Sequence, residues 1–474
     1  MRRLLIASLL ISIFCLFGFG QGTPVKIQEG ADGMAVIGGS IIDGTGQEII
    51  EDGVILIEKD RISRMGKKSQ IALPKGIRTI DASGKTIVPG LMDANVHLIM
   101  GSSLDFFGRY EGRFEDLAEE AAQVTLRNGC TTVFDTWGPL GPLLNVRDKI
   151  NRGETAGSRV FAGGNIVGFS GPFGQDFFGD PGILVARAFT DRINTLWEEN
   201  VGPDLGYMTP ARVREEVRKY TSRGIDFIKY AASGHSLYGM KILVFSEDVQ
   251  RAIVEEAHRA GLTAQAHTSS NESLRTAVEA GIDLITHADV TGPFPIADST
   301  ISLIRSKKTY CGILPATRKR QKGEDEHAGL LPFDPPTIRA WRENWPKLIK
   351  AGIPIVGSTD GYLAEEELKK QWAWARIDDD AQSLDGGIFL RCAALVEMGM
   401  TPMEAILSAT RNVAAAYGKL GDIGTLEPGK FADLLILDGN PLDDINNLRK
   451  ISSIIQGGKI IDRDKLPVRK ILTD

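Results

Sequence analysis

Apolar strand-like runs alternate with amphipathic helical stretches through the middle of the chain, and short β-rich segments stand at both ends. Together these predict an α/β fold: a TIM (β/α)8 barrel with a small composite β-sandwich domain formed from both ends of the chain. The central strands number about eight, each followed by helix-period sequence, as parallel βα units with right-handed crossovers require. The β texture of residues 34–88 returns at 421–465, so one small unit is expected from the two termini, with the barrel spanning 89–420. A chain of 474 residues with 42% hydrophobic content can fill both cores.

Taken in order, the chain opens with Met1-Arg2-Arg3, an apolar stretch from Leu4 to Phe17, and small residues around Gly18 and Gly20. That three-part pattern predicts a signal peptide over residues 1–20, cleaved near Gly20. The apolar stretch falls short of the roughly 20 residues that span a bilayer, and bulky Phe14 argues against lipid processing at Cys15. A secreted or periplasmic protein is expected. Next, Met34-Ala35-Val36-Ile37, Val54-Ile55-Leu56-Ile57 and Arg61-Ile62-Ser63-Arg64-Met65 read as strands broken by Gly and Asp turns. The barrel strands are expected to end near His97, Asp135, Gly163, Lys229, His267, His287, Cys311 and Asp360. Helices such as Ser246 to Arg259 and Asn271 to Ala280 fill the gaps. Gly163 to Gly182, interleaved with Phe169, Phe173, Phe177 and Phe178, reads as a long loop, either a substrate lid or wall or mere surface packing. The charged stretch Arg318 to Glu326 reads as a mobile loop leading to His327. Ala432 to Leu437 and Ile454 to Ile461 close the chain as strands.

The formal net charge of −6 would become about −8 once Arg2 and Arg3 leave with the signal, which excludes nucleic acid as a partner. The remaining cysteines, Cys130, Cys311 and Cys392, lie scattered in apolar segments, without the spacing of a disulfide framework or a zinc cluster, and read as buried inert thiols. No later segment approaches a membrane span. The expected partner is a small-molecule substrate. The fold admits a homo-oligomer, but no segment defines a subunit interface.

Reactive groups in such a barrel sit at the C-terminal ends of its strands, and His97, His267, His287 and Asp360 fall there. A lone strand-end histidine is more often structural, but three with an aspartate are harder to dismiss. Lys229 interrupts Ile225-Asp226-Phe227-Ile228 and Tyr230-Ala231-Ala232 in a strand buried on both faces, where a free ammonium is costly. Pairing with a carboxylate such as Asp360 would be the plain explanation. Imidazoles and carboxylates together suit Zn2+, with another divalent metal also open. Tyr230, His235 and Tyr238 could line the mouth and touch substrate, or simply pack. His258, among Glu255, Glu256 and Arg259 on a helix face, reads as solvated.

The run Ile87-Val88-Pro89-Gly90-Leu91-Met92-Asp93-Ala94-Asn95-Val96-His97, with Lys229, His267, His287 and Asp360 in that order, resembles the metal-dependent amidohydrolase superfamily, in particular its imidazolonepropionase-like and prolidase-like branch. Gly39 to Thr45, Thr401 to Ile406 and Gly424 to Leu434 carry the likeness over nearly the whole mature chain. The resemblance implies a metal-dependent hydrolase cleaving amide-like C–N bonds of a small substrate: a dipeptide, an N-acyl amino acid or a cyclic amide. It implies that His267 and His287 hold one metal and that His97 and Asp360 face another. Lys229, carboxylated by carbon dioxide, would stand between them, with Asp360 as general base. In the family pattern Asn95 would be a histidine. As a neutral amide it is a poorer zinc ligand, so it either weakens the site of His97 and Asp360 or acts by hydrogen bonding. Two alternatives stay open: a non-hydrolytic barrel that binds a small ligand, and a single-metal isomerase or decarboxylase.

Overall fold

The computed structural model describes residues 33–101, 103, 105–174, 185–235, 242–327, 334–365 and 377–473. The segment expected to be a signal, together with Phe177, Phe178 and Tyr238, lies outside them.

Five strands open the described chain: β1 (Gly33–Ile41), β2 (Ile50–Glu58), β3 (Arg61–Lys67), β4 (Arg78–Asp81) and β5 (Thr86–Pro89). Three more close it: β15 (Leu434–Leu437), β16 (Ile451–Gln456) and β17 (Lys459–Ile460). All eight join in one sheet with the path β17-β16-β15-β5-β1-β2-β3, and β4 also pairs with β1. The two ends of the chain meet where β5 lies antiparallel to β15, Ile87 opposite Ile436. Period-2 alternation sends Val36, Ile55, Ile57, Leu434 and Ile436 into one core and Ala35, Val54 and Leu56 into another. One sheet therefore needs apolar residues on both faces of its central strands.

Gly90 turns the chain from this sheet into the barrel. A Cβ there would lie 2.1 Å from Thr131 Oγ1, so only glycine permits the close approach. The barrel strands follow as β6 (Leu91–His97), β7 (Cys130–Asp135), β8 (Arg159–Ala162), β9 (Ile228–Ala231), β10 (Ala264–His267), β11 (Leu284–Thr286), β12 (Tyr310–Gly312) and β13 (Ile355–Val356). Successive strands within β6–β8 and β9–β13 pair in parallel. Two seams close the ring. Asp226 N donates to Ala162 O (2.9 Å) and Val167 N to Lys229 O (2.8 Å) on one side, and Ala94 N donates to Gly357 O (2.9 Å) on the other. A short strand, β14 (Gly361–Tyr362), adds to the outer end of β6. Every residue of β6, β7 and β9 is buried, as a parallel sheet covered on both faces demands.

Two expectations change. Arg318–Glu326 is a helix rather than a loop: the Thr317 hydroxyl accepts from Arg320 N at its start, and Arg320 pairs with Glu324 one turn on. His258 is not simply solvated, because its Nε2 lies 2.7 Å from Asp283 Oδ2 on the neighbouring strand entry. Cys130, Cys311 and Cys392 are free and buried, as expected. Among the described residues no helix is long and apolar enough to cross a membrane.

Candidate metal centre

His97 ends β6 and His267 ends β10, while His287 comes one residue after β11 and Asp360 four after β13. His287 and Asp360 both adopt left-handed backbone angles, φ +42° and +55°, rare for residues with a Cβ. Such strain persists only where the surroundings fix it. Lys229 is not at a strand end: it is the second residue of β9, and pleating turns it inward, 1% exposed.

The structure brings these side chains into two connected groups. In one, Asn95 Nδ2 donates to Asp360 Oδ1 (2.6 Å) and His97 Nε2 lies 3.3 Å from the same oxygen. Asn95 Oδ1 accepts from the Thr136 hydroxyl and, at 3.2 Å, from Lys229 Nζ. Lys229 Nζ also donates to Thr136 Oγ1 at 3.0 Å. Lys229 therefore contacts an amide and a hydroxyl rather than the carboxylate that the plain reading supplied. In the other group the rings of His267 and His287 stand 4.6 Å apart, edge to face, and His235 stacks on His267 at 4.7 Å. Phe169 backs His267 at 5.2 Å, and Trp137 lies 6.1 Å from His97.

Burial sets the protonation states. It lowers His287 and His235 to about 4 and His267 further, aided for His267 by the neighbouring imidazoles, so all three rings are neutral. It also lowers Lys229 to about 8, against the pull of Asp360 and Asp135. For Asp360 desolvation works the other way. The His97 hydrogen bond and the charge of Lys229 oppose it, and the carboxyl is held well below its usual range.

The residues fit a divalent metal in one respect above all. Among the described residues His267 Nε2 is buried with no hydrogen-bond partner, a loss normally avoided in a folded interior. Next to it, His287 Nδ1 lies 3.1 Å from the Thr268 carbonyl. A carbonyl only accepts, so the proton sits on Nδ1 and Nε2 keeps its lone pair for a ligand. Among the described residues no group of three or more His, Cys, Asp or Glu side chains is arranged to hold a metal by itself. The donor set expected here counts Lys229 as a member. Asn95, expected at the metal, has its amide oxygen already engaged by two donors, Thr136 and Lys229.

Of the residues expected to touch substrate, His235 stands beside His267, but Tyr230 turns away. It follows inward-facing Lys229, so it points outward, where its hydroxyl donates to Gln250 Oε1 (3.1 Å) on the helix Glu247–Arg259. Sequence reasoning passed over Thr136, the residue after β7, whose position at a strand end was the available signal. It also passed over Arg391, which looks like one polar residue in an apolar helix.

The amidohydrolase family model matches residues 86–461, from the last strand before the barrel to the last strand of the sheet. The chain belongs to the amidohydrolase family. This amidohydrolase is accordingly a hydrolase acting on amide-like C–N bonds, with the TIM barrel and additional domain of its relatives. It is 26% identical to the ochratoxinase of Aspergillus niger over 90% of this chain and 86% of that one. It is 24% identical to the imidazolonepropionase of Streptomyces avermitilis over 89% and 86%. Among solved structures, molinate hydrolase superposes with a TM-score of 0.89 at 36% identity, covering 94% of this chain and 97% of its own. Phenylurea hydrolase B gives 0.88 at 34%, covering 93% and 99%.

Proposed function

We propose that this protein is an exported, metal-dependent amidohydrolase in which His267, His287 and carboxylated Lys229 hold one zinc ion and Asp360 is the general base. The buried, unpartnered Nε2 of His267 beside the lone-pair nitrogen of His287 carries this reading. When bound, zinc supplies Lewis-acid activation of water and of a substrate carbonyl. Asp360, held ionised and anchored by Asn95 and His97, takes a proton from the attacking water and delivers it to the leaving nitrogen. Lys229 is an amine whose burial disfavours the ammonium, which leaves it open to carbon dioxide. Asn95 favours one metal over two, since its oxygen faces Thr136 and Lys229. His235 meets the substrate from beside His267, and Tyr238 is proposed as a further contact. Residues 1–20 are proposed as the export signal.

The substrate is a small molecule with an amide-like C–N bond. Molinate hydrolase and phenylurea hydrolase B, both above 30% identity, carry molinate and a phenylurea in their names. Ureas therefore belong in the first screen, beside dipeptides, N-acyl amino acids and cyclic amides. The test is a hydrolysis screen in 18O-water on protein prepared with zinc and bicarbonate, with metal counted per chain beside Lys229→Ala and His267→Ala. About one zinc per chain, lost in both variants, with label entering the product, supports the reading. A blank screen with bound ligand would leave a binding barrel in its place, and turnover without label an isomerase or decarboxylase.

A further inference from the structure

Arg391, on the helix Gly387–Glu397, is 4% exposed, yet among the described residues no carboxylate lies within bonding distance of its guanidinium. Its two bonds go to neutral carbonyls: Nη1 donates to Pro315 O and Nη2 to Thr359 O, both at 2.9 Å. Among the described residues its Nε is buried with no hydrogen-bond partner. A buried cation held this way is a poor structural ion pair, because it gains no direct charge contact against the cost of its desolvation. What the planar fork offers is geometry: two donors in fixed directions, aimed at the loops after β12 and β13.

The carbonyl held at Thr359 belongs to the peptide that leads into Asp360. From the other side Asp93 of β6 accepts from Thr359 N (3.0 Å) and from the Thr359 hydroxyl (2.5 Å). Beyond it, Asp360 N donates to Asn95 O at 2.9 Å. Asp360 itself sits at φ +55°, a strained conformation that persists only when neighbours over-determine it. Released from its anchors, the peptide would relax and swing the carboxylate off Asn95 and His97. Arg391 also faces the negative groups Asp289, Asp360, Asp380 and Asp93 through space, so its charge favours keeping Asp360 close.

We propose that Arg391 is a positioning residue that fixes the strained Thr359–Asp360 peptide, and through it aims the Asp360 carboxylate into the active site. This rests on the reading of Asp360 as general base given above. The test uses Arg391→Met and Arg391→Lys in the full chain loaded with zinc. Crystal structures read the position of Asp360, and kinetics on whichever compound the wild type hydrolyses read kcat against KM. In Arg391→Met the Thr359 carbonyl turns away, Asp360 Oδ1 leaves hydrogen-bond reach of Asn95 Nδ2, and kcat falls about a hundredfold with KM within about threefold, the cost typical of a roughly 1 Å misplacement. Arg391→Lys keeps the charge and one donor and recovers part of both; it carries the test alone if the Met variant does not fold. Asp360 in its wild-type place in both variants, with kcat per folded chain unchanged, overturns the proposal even if the melting temperature falls, since Arg391 then only braces the helix. A wild type that hydrolyses nothing in the screen defeats the hydrolase reading, while the position of Asp360 in the variants still decides the role of Arg391.

Discussion

Replacing Thr136 with valine removes a hydroxyl and leaves the shape of the side chain nearly unchanged, so the variant isolates hydrogen bonding from packing. The hydroxyl donates to Asn95 Oδ1 and accepts from Lys229 Nζ at 3.0 Å, in a place with no solvent exposure. Without it Lys229 keeps one acceptor, Asn95 Oδ1 at 3.2 Å. Losing a bond to a buried amine that is charged in part costs about 1.5–3 kcal/mol and the neutral bond about 1 kcal/mol more. Valine opens no cavity to add to this. The loss falls on the two groups that orient Lys229, and removal of such outer partners typically weakens metal binding about 10- to 100-fold. The assay is zinc competition against a chromophoric chelator, run beside Thr136→Ser, which restores the hydroxyl. We expect Thr136→Val to bind zinc at least about tenfold more weakly and Thr136→Ser to stay within about threefold of wild type. Wild-type affinity in the valine variant would refute the reasoning, as would equal losses in both, which would trace the effect to packing.

Two further outcomes follow from the site and the core. Tyr230→Phe removes only the bond to Gln250 on the helix side; it should cost about 1 kcal/mol of stability and leave kcat and KM unchanged, whereas a raised KM would return Tyr230 to the substrate. Burial pushes the Cys392 thiol up to about 12 and raises those of Cys130 and Cys311 as well, so none should react with a thiol reagent in native protein at pH 7–9. Because the folded state holds these protons more tightly, the thiols' contribution to stability should be flat below about pH 8.5 and fall above it, by about 1.4 kcal/mol per pH unit for each thiol, with the lowered Lys229 offsetting about one of the three. Denaturation midpoints that stay flat from pH 8 to 10 would contradict the thiols' burial.

The architecture was legible because its signals are periodic: eight apolar runs, helix-period spacers and two matching β ends leave few arrangements. The cluster of candidate side chains was legible for a different reason, since His97, His267, His287 and Asp360 stand where a strand must stop and Lys229 stands where no charge is cheap. What stayed hidden was direction and partnership. Tyr230 and Lys229 are adjacent, and only the pleat decides that one faces the barrel axis and the other the helices. Thr136 reads as an ordinary β-branched residue until Asn95 and Lys229 are seen to share its hydroxyl. Arg391 lies in an apolar helix and shows its purpose only against the carbonyls of Pro315 and Thr359, which are 76 and 32 residues away in sequence. Arg318 to Glu326 misled because its charges suggested solvated coil, although their spacing permits paired turns of helix.

The pairing of β5 with β15 has a consequence for how the protein is made. Pro89 waits for Leu434, and at roughly 5–20 residues per second the ribosome needs on the order of 20–70 s to deliver that partner. Through that interval the barrel strands can emerge and collapse in sequence, while β5 offers a bare edge of Thr86-Ile87-Val88 to any other extended chain. The companion sheet is therefore completed only after the whole barrel segment has been made. A nascent chain stalled near Tyr417 would hold a nearly complete catalytic barrel and half of a sheet.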